Sequence, residues 1–338
     1  MSCLRIDIKR LYNSITVRIV LGVLFFLAIV DPLYSRFLTL DSMFASYYGI
    51  NAYQYWLFNF PGGIGFKVYH ALFLLLPVLS TGFILFYDQK TSFKIYNIVK
   101  QGRAIYLTSK VISVFLVTMV NSIVSFSINI LITFSIFPQN SIMTDVYRMF
   151  IPIEHSAANF FYEISPVLSA VFFAFLNSLA LSVLAALTVI IHMIFRFPNI
   201  YVAFFVPSIL CLLITYGSDF LLPKRFVLRN FLQPLNSCYE GAAQLKDILL
   251  VLSGYFILEI LLFTIAYRRN RILFSHKSKY FIWVGFLYFI FPLLCISFFA
   301  DTQDLWFKNI FSNKTFVMLI MPAFVLGAVI IDSSISPV

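Results

Sequence analysis

The chain of 338 residues is 61% hydrophobic and only 11% charged. A soluble domain is about half apolar and about a quarter charged, so this composition excludes an ordinary water-soluble fold and makes a bilayer the natural solvent. The formal net charge of +10 raises nucleic acid as a partner, and the placement of the charges answers that question below.

Residues 4–12 put Leu4, Ile8, Leu11 and Tyr12 on one helical face, with Arg5, Lys9 and Arg10 elsewhere. The pattern predicts an N-terminal interfacial helix over 1–13, flat on the inner membrane surface. The other reading is a basic flank of the first span. Eight runs then follow that approach the 20 or so apolar residues needed to cross a hydrocarbon core. They cover 14–33, 69–87, 110–137, 165–194, 200–216, 248–267, 280–300 and 315–331. Runs this long must be helices, because barrel strands are about half as long and alternate in polarity. The expected fold is all-α, a polytopic transmembrane helix bundle of about eight spans.

The first run ends at Asp31-Pro32 without a small-residue cleavage site, so it reads as a retained anchor. An aromatic outer loop follows over 31–68. Its FPGGIGF at 60–66 lacks the Lys-Ser/Thr of a phosphate cradle and reads as a turn. The outer loop 217–247, punctuated by Pro223 and Pro234, is either a gate dipping into the outer leaflet or a structured surface loop. The short connection FRFPN at 195–199 makes spans four and five antiparallel neighbours. RRNRILFSHKSK at 268–279 is basic enough to orient the chain and attract anionic lipid.

With the N-terminus inside, 15 of the 24 basic residues fall on the inner face, which carries +12, against −1 outside. That asymmetry is the one the positive-inside rule expects. The basic balance therefore reports orientation, with both termini cytoplasmic, and no nucleic-acid partner.

Residues 88–110, DQKTSFKIYNIVKQGRAIYLTSK, hold the most orderly amphipathic pattern. Ser92 is the expected N-cap and Gly102 the expected C-terminal stop of a short helix over 92–101. Ile95, Ile98 and Val99 share a face, Lys94, Asn97 and Gln101 lie elsewhere, and Lys100 and Arg103 suit the negative end of the helix dipole. A helix of this length is marginal alone and needs the inner leaflet or a protein groove to hold it.

Span three carries Asn121, Ser125 and Asn129 at i, i+4 and i+8, and span four carries Asn177, Ser178 and Ser182. Such groups either bond across helices or line a translocation path, with helix contacts the preferred role. Glu259, in the middle of span six, costs about 2.5–3.5 kcal/mol on insertion scales and must face protein or water. His192 is its only titratable candidate neighbour and reads better as a packing histidine. His70, His155, His192 and His276 stand far apart, and Cys3, Cys211, Cys238 and Cys295 have no metal or disulfide spacing. An enzyme, with catalytic or metal-ligating residues of its own, is not expected.

The stretch 88–110 resembles the first cytoplasmic loop of type-2 ATP-binding-cassette (ABC) exporter permeases, especially bacterial ones. The family pattern is an acidic residue closing span two, a small residue, a coupling helix, a basic residue and a Tyr-x-x-x-Lys opening span three. Here these are Asp88, Ser92, Phe93–Val99, Lys100 with Arg103, and Tyr106 with Lys110. The family more often has Glu at the first position, Gly at the second and Arg at the Lys100 position.

The resemblance implies a six-span permease core over 14–267, with residues 268–338 adding two spans beyond the usual six. It implies a plasma-membrane subunit that dimerises with a second copy or a paralogue and is driven by a separate cytoplasmic ATPase. That partner would bind the ATP and magnesium, since this chain has no G-x-x-x-x-G-K-[ST] and needs no cofactor of its own. Ile95, Ile98 and Val99 would fill a groove on the ATPase, with Lys94, Lys100 and Arg103 at its rim. Relatives export peptides, antibiotics, lipids and glycans, so an amphipathic or hydrophobic cargo is implied. The alternative is a proton- or ion-coupled secondary transporter that uses Glu259.

Overall fold

The computed structural model describes residues 2–41, 52–56, 102–137, 152–195, 222–238 and 241–269. It also describes Ile84, Leu85, Asp88, Ile98, Lys100, Val206, Pro207 and Leu210 between them. These residues are mostly helical, with no strand among them. The eight α-helices are α1 (Ser2–Asn13), α2 (Ile15–Asp41), α3 (Ala52–Tyr55), α4 (Arg103–Ile136), α5 (Ala157–Ile164), α6 (Pro166–Ile194), α7 (Leu228–Leu232) and α8 (Leu245–Arg269). Among the described residues, four helices are long and apolar enough to cross a membrane: Ile15–Phe37 within α2, α4, α6, and Leu245–Arg268 within α8. They answer to the expected spans one, three, four and six. The spans over 280–300 and 315–331 lie outside the described residues.

The buried apolar side chains form two cores, one at each end of the bundle. The near core gathers Leu11, Val17, Tyr106, Val114, Ile190, Ile194, Leu258 and Ala266. The far core gathers Val20, Leu24, Tyr53, Trp56, Ile130, Ala170, Phe173 and Val251. α2 and α4 thus run from near to far, and α6 and α8 from far to near. The expected spans over 69–87 and 200–216 lie largely outside the described residues, and only single residues in or near them are placed. Trp56 is in the far core and Leu85 in the near core, and Leu210 packs on the near core while Leu222 packs on the far one.

α6 is the central stave. Every residue from Leu176 to Ile194 except Leu179 is buried. Its Ala and Ser positions let neighbouring backbones approach closely, and the serine hydroxyls satisfy themselves on the preceding turn. Ser178 donates to Ala174 O at 2.8 Å and Ser182 to Ser178 O at 2.7 Å. Ser165 caps the helix start, accepting from Val167 N–H, with Pro166 at the first position where its missing N–H costs nothing.

Two expected boundaries move. α2 does not stop at Asp31-Pro32 but continues through Pro32 to Asp41. A proline inside a helix leaves the carbonyl four residues earlier without its N–H, here that of Ala28. Asn129 of α4 supplies the missing donor, its Nδ2 lying 3.0 Å from Ala28 O. A neighbouring helix satisfying a freed backbone group is what lets proline persist in membrane helices. The second change is that α4 starts at Arg103 rather than 110. Its 34 residues give a rod of about 51 Å at 1.5 Å per residue, well beyond an apolar core about 30 Å thick.

Candidate functional site

The near end of the bundle holds a fully buried ionic cluster built from three segments. Lys110, on α4, places its ammonium 2.5 Å from Asp7 Oδ1 on α1 and 2.7 Å from Asp88 Oδ2. All three side chains are 0% exposed. Ser109 donates to Asp7 Oδ2 and Tyr106 donates to Asp88 Oδ2, each at 2.8 Å. Arg10 Nη2 stands 2.7 Å from Asp88 Oδ1 as an ion contact rather than an aligned hydrogen bond, and its side chain is one-third exposed. Two carboxylates thus face two cations, and the cluster is neutral. Neutrality matters because an uncompensated charge in a dry site costs several kcal/mol.

Local structure puts each member in place. Tyr106 and Lys110 are four residues apart, on one face of α4, and the Lys110 ammonium sits 5.2 Å from the Tyr106 ring centroid. Cys3, Asp7 and Leu11 repeat every four residues and form the buried stripe of α1, whereas Tyr12 is exposed. The apolar face expected at Leu4, Ile8, Leu11 and Tyr12 is therefore rotated. Hydropathy alone turns Asp7 outward, but the Lys110 ammonium draws it in. Burial pushes the Cys3 thiol up from its ordinary value, and Cys3 Sγ donates weakly to Asp7 Oδ2 at 3.8 Å.

The amphipathic stretch before α4 is partly described. Ile98 and Lys100 are helical, Ile98 half-buried against the near core and Lys100 exposed. Phe93, Lys94, Ile95 and Val99 lie outside the described residues. Gly102 marks the stop, with φ +82° and its N–H bonded to Ile98 O at 3.0 Å. That φ is strained for any residue with a Cβ. Arg103, expected at a partner's rim, instead turns onto this chain's own α8. Its Nη2 donates to Tyr267 O at 3.2 Å and its guanidinium lies 5.5 Å from the Tyr267 ring centroid. A cation on the last carbonyls of α8 complements the helix dipole.

Three of the intramembrane polar groups donate to backbone carbonyls. Asn129 bonds Ala28, and Asn177 Nδ2 donates to Phe173 O and to Leu232 O on α7, both at 2.9 Å. Ser125 donates to Asn121 O. Asn121 itself is buried. His192 is buried and bonded through Nδ1 to Thr188 O at 2.8 Å. Glu259 is 8% exposed, and its Oε1 makes no hydrogen bond among the described residues. No group of three or more His, Cys, Asp or Glu side chains able to hold a metal ion occurs among the described residues.

Asp88, Tyr106 and Lys110 are marked in the sequence by the family resemblance, whereas Asp7 is not. Its signal was available: an acid at the centre of an otherwise basic amphipathic helix. Comparison with known proteins gives no match, since no family model fits the chain and no curated protein or solved structure is similar to it.

Proposed function

We propose that this chain is the membrane-spanning permease subunit of an ATP-driven exporter of the type-2 ABC class, working with a separate cytoplasmic ATPase and a second permease subunit. The observation that carries the reading is the buried Asp7–Lys110–Asp88 cluster. It ties the N-terminal helix, the acidic residue closing the preceding segment and the start of α4 into one unit, beside the helical Ile98 and Lys100. A push delivered to the short amphipathic helix would pass into α4 without loss at a loose joint, because buried ion pairs of fixed geometry resist separation. In this reading the cytoplasm lies at the near end, ATP and magnesium stay on the partner, and an amphipathic or hydrophobic cargo crosses the plasma membrane.

The test is co-purification with the ATPase. Lys100→Glu, at an exposed position, and Ile98→Asp are each expected to cut recovered ATPase at least tenfold while membrane insertion stays normal. Wild-type recovery of the ATPase with both variants overturns the docking assignment.

Glu259 supports a second reading, an ion-coupled carrier, because its buried Oε1 lacks a hydrogen bond among the described residues. The two readings part on one measurement. A carrier transports in vesicles without ATP and loses that transport with Glu259→Gln, whereas the permease requires ATP and its partner.

A further inference from the structure

At the far end, residues 222–238 and 241–243 fold against α5, α6 and α8 and leave a cavity of about 210 Å³. At roughly 30 Å³ per water this is room for about seven waters, below the roughly 300 Å³ where drug-sized pockets begin. The lining has two characters. Ala157, Phe173 and Ile248 contribute apolar surface, and Lys224, Asn230 and Asn236 contribute polar groups.

The hydrogen-bonding state of the polar groups defines what they can still take. Asn236 Nδ2 donates to Asn230 O at 3.0 Å and to Gln233 Oε1 at 3.2 Å. Asn230 Nδ2 donates to Lys224 O at 3.2 Å. Both amide hydrogens of Asn236 and one of Asn230 are thus committed, and the side-chain oxygens of the two are left as acceptors. Among the described residues, Lys224 forms no ion pair and no acidic residue lines the cavity. The site therefore combines a cation, two acceptor oxygens and an apolar wall.

We propose that this cavity binds a small amphipathic carboxylic acid bearing an O–H or N–H group. The carboxylate pairs with the Lys224 ammonium, the donor group reaches an Asn230 or Asn236 oxygen, and the apolar body packs on Phe173 and Ile248. The site is independent of the transport reading and of the charge cluster at the other end.

The experiment titrates the full chain in lipid nanodiscs with 3-(4-hydroxyphenyl)propionate and, separately, with its neutral amide, followed by saturation-transfer NMR against empty nanodiscs. The acid is expected to bind saturably and at least fivefold more tightly than the amide. Lys224→Gln should weaken the acid at least fivefold and leave the amide unchanged, while Lys224→Arg keeps the wild-type preference. Because Lys224 is exposed, these variants keep the fold. Equal binding of acid and amide, no effect of Lys224→Gln, or the same signal on empty discs overturns the proposal.

Discussion

At the near end of α4, three fully buried charged side chains meet, with Arg10 reaching in from the surface. At its far end, the same depth of packing is made by rings and hydroxyls, with no ion pair among the described residues. There Tyr53 bonds Ser169 through oxygens 3.1 Å apart, its ring meets Tyr162 edge-on at 4.9 Å, and Tyr55 stacks on Phe137 at 4.8 Å. Burial holds the Tyr53 phenol well above its ordinary value, against the opposing Ser169 hydrogen bond. The contrast teaches where each end is vulnerable. Ring contacts contribute about 0.5–1.5 kcal/mol each, so loss of one is absorbed by the rest. Removing one partner of a buried ion pair strands a charge and costs about 3–5 kcal/mol.

The largest expected effect follows directly. Lys110→Met leaves Asp7 and Asp88 opposite each other with only the half-buried Arg10, and should cost about 3–5 kcal/mol. The measure is the melting temperature of the monodisperse peak in detergent. Adding Asp7→Asn to Lys110→Met removes the stranded charge and should recover part of the loss. Equal melting of the single and double variants would show that charge is not what orders the near end.

A thiol probes the far end without changing its packing. Burial pushes Cys238 up to about 11. The thiolate is the reactive form, and at pH 9 only about 1% of Cys238 is thiolate, against about half of an ordinary thiol. With the other three cysteines changed to serine, maleimide labelling at pH 9 should run about 50-fold slower than for an exposed cysteine. The gap should narrow as pH rises towards 11. A rate equal to that of the exposed control would mean that water reaches the far end freely.

The smallest effect tests the seam between α2 and α4. Asn129→Leu removes the donor to Ala28 O and should cost about 0.6–1.7 kcal/mol. Pro32→Ala returns the backbone N–H to that carbonyl, so in its presence Asn129→Leu should cost clearly less. Additive losses in the double-mutant cycle would dissociate the proline from the asparagine.

Much of this architecture was legible in the sequence, for reasons that differ by residue. Apolar run length located α2, α4, α6 and α8, because a bilayer imposes a minimum length that loops and soluble helices do not share. Gly102 was legible as a stop because only glycine accepts its φ cheaply. Pro32 misled as a helix end, since its lost hydrogen bond is repaired by Asn129, 97 positions away, and no local signal carries that repair. Asp7 was legible only as an acid among the bases of α1, since its inward turn depends on Lys110 of another helix. Arg103 pointed to a partner by position, yet its donor fork is occupied by α8.

A rod of about 51 Å held by charge at one end has a long arm. A tilt of α4 by about 10° about that end would displace its opposite tip by about 9 Å. The stacking of Tyr55 on Phe137 at that tip is therefore a sensitive gauge of small changes of angle at the ionic anchorage.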